Sequence, residues 1–145
     1  MKNILWGLMV LLVTTTSVGC DDDDPSDVAD DCQREAAFKV DGEGICATGT
    51  FLLTASETSI NLTGEDNQTL LITVTGVDET TYPIAANEAV YIDVNNVSYA
   101  SVDGGTLTIR DNVSDMDASF SFRAESADGV SIEISEGVVE DLPSR

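Results

Sequence analysis

The chain has 145 residues, of which 27 are Asp or Glu, six are Lys or Arg and none is His, for a formal net charge of −21. A surplus of this sign excludes nucleic acid as a partner, since that needs clustered Lys and Arg, and it disfavours anionic lipid as a ligand. The lack of histidine removes the commonest general base and metal ligand.

The first element is a leader. Lys2 precedes an apolar run, Ile4–Val13, then the small, mildly polar Thr14–Gly19, then Cys20. The run is about half the ~20 residues that cross a bilayer as a helix, so residues 1–19 read as a signal peptide. Ser17-Val18-Gly19-Cys20 resembles the bacterial lipobox, although Ser17 stands where that motif usually has Leu. Cys20 is therefore expected to be the acylated first residue of the mature chain. Several acyl chains on one cysteine hold a protein firmly, at about 0.8 kcal/mol per buried methylene. Residues 20–31 form an acidic linker containing Asp21–Asp24 and Pro25. Cysteine followed by acids resembles the export signal of surface lipoproteins in the Bacteroidetes, which places the domain on the outer membrane, facing outward. The alternatives are a periplasm-facing or inner-membrane location. Losing the leader removes only Lys2 among the charged residues, so Arg34, Lys39, Arg110, Arg123 and Arg145 are left to face all the acids.

Residues 32–145 form the single domain. Cys32 and Cys46 lie in an oxidising compartment and are expected to bridge. Beyond them the apolar residues recur at every second position, the mark of strands with one buried face. Phe38 and Val40 precede an Asp41-Gly42 turn. Ile45–Ala55 is a long strand with Gly49 as a possible bulge. Ile60 and Leu62 face inward, as do Leu70, Ile72 and Val74. Tyr82-Pro83-Ile84 is extended. Ala89–Val94 places Val90, Ile92 and Val94 inward and Tyr91 outward, and Tyr99 lies on the next short strand. Leu107 and Ile109 face the core before an acidic connection, Asp111–Asp117. Phe120 and Phe122 face the core between Ser119, Ser121 and Arg123. Asp128-Gly129 marks a tight hairpin, Ile132 and Ile134 follow, and Glu136-Gly137 bends the chain. Eight to ten short strands with short connections give an all-β, antiparallel sandwich or closed meander barrel, with the sandwich as first choice.

Gly105-Thr106-Leu107-Thr108-Ile109, Ala118–Ala124 with its Ser119-Phe120-Ser121-Phe122 core, and Glu136-Gly137 recur in one order. This order resembles small Bacteroidetes lipoproteins classed as a domain of unknown function. Phe38-Lys39-Val40-Asp41-Gly42 and Thr80–Ile84 are similar to that family's opening and middle segments. The resemblance covers about 38–139. It implies a secreted β domain and carries no known chemistry.

Candidate sites are few. The serines and threonines have no base partner, so an enzyme is not expected. The dense oxygens of Asp111, Asn112, Asp115 and Asp117 are a calcium candidate, with Glu65-Asp66-Asn67 a weaker one. No other cofactor is expected. Tyr91 and Tyr99 are candidate platforms for a glycan, with Trp6 lost in the leader. The four Asn-X-Ser/Thr triplets read as ordinary turn and strand composition. The sequence thus predicts a non-catalytic cell-envelope lipoprotein, a surface-exposed binding or interaction module of unknown ligand whose partner is a protein or a glycan. The alternative is a glycan- or calcium-binding accessory domain.

Overall fold

The computed structural model describes Cys32 and residues 34–145. The signal peptide, Cys20 and the acidic linker lie outside the described residues. No helix occurs among the described residues. The ten strands are β1 (Ala36–Val40), β2 (Glu43–Leu53), β3 (Glu57–Gly64), β4 (Thr69–Thr75), β5 (Thr81–Ile84), β6 (Ala89–Ile92), β7 (Ser98–Ser101), β8 (Gly105–Asp111), β9 (Asp115–Ser126) and β10 (Ser131–Pro143).

Every strand pair is antiparallel, and eight of the strands close on themselves in the order β10-β1-β2-β3-β4-β6-β7-β9 and back to β10. The architecture is therefore a barrel, and the sandwich expectation gives way to it. The reason is β10. It pairs with β1 on one side and β9 on the other, which leaves no second sheet to stack. Nor is the barrel a pure meander. The last half of β9 pairs with β7 and its first half with β8, which carries β5 as an edge strand. The wall thus forks between β4 and β9. Two bonds pin the fork: the buried Ser101 hydroxyl accepts from the Ala89 N–H (3.0 Å) and donates to the Ala85 carbonyl (2.7 Å). Pro83 sits on edge strand β5, where a missing N–H is tolerated and further pairing is blocked.

Eight strands give a lumen just wide enough for side chains to fill. Phe38, Phe51, Ile60, Leu62, Leu70, Ile72, Leu107, Met116, Phe120, Phe122 and Ile134 fill it. Alternation along β9 is strict. Met116, Ala118, Phe120, Phe122 and Ala124 point in, while Ser121, Arg123 and Glu125 point to solvent. Apolar-in and polar-out is the reverse of a membrane-spanning barrel's pattern.

Local chemistry fixes the corners. Asp41 (φ 50°) and Gly42 (φ 85°) form the two-residue β1–β2 turn, with both central residues in the left-handed region such a turn demands. Gly49 is not a bulge: the β2–β3 ladder runs through it without a register shift. It is a close approach instead, since a Cβ there would lie 2.0 Å from the Asn61 carbonyl oxygen. Two bulges fall on β10, at Glu136 (φ 49°) and Asp141 (φ 50°), and let that long strand curve round the barrel, while a third irregularity lies on β8 between Ile109 and Asp111.

β6 corrects the sequence reading. Ala89 and Tyr91 face the lumen, Val90 and Ile92 are half-buried, and Val94 is 53% exposed beyond the strand's end. Register decides it, since Tyr91 lies directly opposite Leu70 of β4, whose side chain points in. The acidic connection is also shorter than expected. Asp111 and Asp117 oppose each other in the β8–β9 ladder, leaving only residues 112–114 outside the strands.

Cys32 and Cys46 form a disulfide across a separation of 14 residues. It packs with Ala37 on the outside of the barrel. Closing a loop of about this length removes roughly 3 kcal/mol worth of unfolded-state entropy. Thiol-free Cys32→Ser/Cys46→Ser protein is therefore expected to have a lower urea midpoint, corresponding to a loss of about that free energy. An unchanged midpoint would show that the bridge constrains nothing.

Candidate functional site

Alternate turns of an up-and-down barrel share one end. Here the β1–β2 turn, the β3–β4 turn (residues 65–68), the β6–β7 turn (93–97) and the β9–β10 turn (127–130) crown the same end. Below them lies a cavity of about 560 Å³, within the range usual for small-molecule sites and in a barrel mouth, where such sites often occur. Val40, Ile45, Tyr91, Tyr99 and Ile132 make its apolar floor and wall. Asp41, Glu43, Glu65, Asp66 and Asp93 bring carboxylates to it, and among the described residues no Lys or Arg lines it. Val94, Val97 and Val130 leave apolar surface exposed on the two turns beside it.

The acids differ in how they are held. Asp41 accepts from the Glu133 N–H (2.8 Å), which ties the β1–β2 turn to β10. Asp93 accepts from the N–H groups of Asn95 (2.8 Å) and Val97 (2.9 Å), so its carboxylate is fixed by its own turn. Glu65 pairs with Arg34 at 2.9 Å, both half exposed, an arrangement that contributes little to stability. The carboxylates of Glu43 and Asp66 make no hydrogen bond or ion pair among the described residues.

Tyr91 is the centre of the floor. Its ring meets Phe38 edge to face at 6.2 Å and lies 6.2 Å from Tyr99, its direct cross-strand partner on β7. Tyr91 is only 4% exposed, and its hydroxyl, without a hydrogen-bond partner among the described residues, is the part that reaches the open cavity. Burial first, then the negative charge of Asp93 and the neighbouring Tyr99 and Glu43, push the phenol up to about 12. It stays protonated, and so remains a donor, at any ordinary pH.

Of the residues singled out in the sequence, Tyr91 and Tyr99 come together at this mouth, with Tyr91 turned inward and not outward as expected. Cys32 and Cys46 meet in the bridge. The calcium candidates lie at the far end. Asp111 accepts from the Val113 N–H (3.0 Å), Asn112 donates to the Val77 carbonyl (2.7 Å), Asp115 accepts from the Ser114 hydroxyl (3.2 Å), and Asp117 accepts from the Asp141 N–H (3.0 Å) at a β10 bulge. Among the described residues no three acidic, cysteine or histidine side chains converge as a metal would need. Glu65 and Asp66 of the weaker calcium candidate are on the mouth. Asp41, Glu43 and Asp93 were not singled out, because the β1–β2 and β6–β7 turns that carry them lie about 50 residues apart in the chain. The parity of the turns is the signal that joins them.

Fold and site together define a closed antiparallel β-barrel with a filled lumen and one open, acid-rimmed mouth. The chain belongs to the family described as Domain of unknown function (DUF6252), whose model matches residues 35–143 and so takes in all ten strands. No curated protein and no solved structure matches it.

Proposed function

We propose that this protein is a non-catalytic lipoprotein of the cell envelope, of the small Bacteroidetes type. It is a binding module held on the outer membrane through acylated Cys20 and turned outward, with the barrel mouth as its binding site. The observation that carries the binding reading is the 560 Å³ cavity floored by Tyr91 and Tyr99 at the open end of an otherwise filled barrel. The leader, the lipobox-like Ser17–Cys20 and the acidic Asp21–Asp24 support the anchoring. The net charge of −21 makes nucleic acid an unsuitable partner.

Two measurements test this. Cys20→Ser is expected to move the protein from the membrane to the soluble fraction of fractionated cells, and continued sedimentation with membranes would refute acylation. Calorimetric titration of the Cys20→Ser chain with a glycan panel and with calcium chloride tests the accessory-domain alternative. Saturable binding that survives loss of the mouth tyrosines would move the site away from the mouth.

A further inference from the structure

We propose that the mouth takes a small organic cation: an ammonium group on an apolar body, seated between the Tyr91 and Tyr99 rings and the carboxylates of Glu43 and Asp66. This rests on the mouth being the binding site and names what the site selects.

Three independent observations converge. The first is the lining itself, which presents carboxylates and, among the described residues, no Lys or Arg, so an anion would be repelled. The second is the partnering of those acids. Asp41, Glu65 and Asp93 serve the fold, through a strand tie, an ion pair and a turn. Glu43 and Asp66 serve nothing among the described residues. The third is Tyr91. Its side chain is buried at 4% exposure, lines the cavity, and leaves a donor hydroxyl unpartnered there. That hydroxyl is the part of the side chain left open to the cavity, where water or a ligand can accept its proton. The Tyr99 ring, packed at 36° against that of Tyr91 and only half-buried, is the one with surface left for a cation.

A hard divalent ion fits less well. Calcium wants six to eight oxygens at about 2.3–2.6 Å, and much of this wall is Val40, Ile45 and Ile132. A neutral sugar would gain nothing from the negative charge that Glu43 and Asp66, both exposed, place at the rim. An ammonium ion with an apolar body uses both halves of the surface.

The test uses the Cys20→Ser chain with ring-labelled tyrosine. Three tyrosines give three resolvable ring signals. The probes are phenethylamine, its neutral analogue 2-phenylethanol, and the anion phenylacetate. Phenethylamine is expected to shift Tyr91 and Tyr99 saturably and to leave Tyr82, on edge strand β5, in place. The neutral and anionic probes are expected to bind about tenfold more weakly or less. Glu43→Gln/Asp66→Asn should lose about tenfold in phenethylamine affinity with an unchanged melting temperature. Equal binding of phenethylamine and 2-phenylethanol at Tyr91 and Tyr99 would overturn the cation selectivity while leaving the mouth as a site. Failure of every probe, calcium and glycans included, to move either ring would overturn both. Equal shifts at Tyr82 would mark surface association and overturn the inference as well.

Discussion

Phe38→Ala is expected to destabilise the domain by about 3–5 kcal/mol. Phe38 is 1% exposed and stands near the barrel axis. Its ring meets Tyr91 edge to face at 6.2 Å and Phe120 at 6.1 Å. Removing it loses the transfer free energy of a full aromatic ring and both aromatic contacts, which add about 0.5–1.5 kcal/mol each. The strands around it are tied into a closed ring, so the wall cannot collapse inward, and the cavity term stays near its maximum. Urea unfolding followed by circular dichroism checks this. A loss under about 1 kcal/mol would mean that the lumen is not packed as described. The substitution also removes the buttress under Tyr91, so the mouth floor should loosen even where the domain still folds.

Gly49→Ala is the second large effect, with an expected loss of about 3 kcal/mol, the upper end of what overpacking produces. One added methyl would sit 2.0 Å from the Asn61 carbonyl oxygen and 2.9 Å from a Leu62 methyl. The first obstacle is backbone in the middle of the β2–β3 ladder, so it cannot rotate away as a side chain would. Gly42→Ala provides the contrast. Nothing lies within 4 Å of its added methyl, and the cost is only that of holding alanine in the left-handed region, about 1–2 kcal/mol. Comparable losses for the two variants would show that Gly49 is not a close-contact position.

These two positions mark what sequence reasoning reaches. The inward side of β9 was legible because Ser121, Arg123 and Glu125 interrupt Phe120, Phe122 and Ala124 at every step. The Asp41-Gly42 turn was legible because few residue pairs accept two left-handed conformations. β6 was not. Ala89-Val90-Tyr91-Ile92 is apolar at all four positions, so alternation gives no phase, and the phase comes from Leu70 on a neighbouring strand. Closure was out of reach for the same kind of reason. It depends on β10 meeting β1, almost the full length of the domain away, and nothing local in either strand records that pairing. The tyrosines of the mouth could be picked out as residue types. Glu65 and Asp66 were legible as a local pair of acids, but their meeting with Asp41, Glu43 and Asp93 was not, because three separate hairpins supply the five and the barrel alone gathers them.

The mouth exists as a site only if Tyr91 stands inside a closed barrel as its floor. A nuclear Overhauser spectrum of the Cys20→Ser chain tests this most directly. Cross-peaks from the Tyr91 ring to the side chains of Phe38 and Leu70 are predicted. Their absence, with cross-peaks from Val90 and Ile92 to Phe38 in their place, would turn β6 over and remove the site.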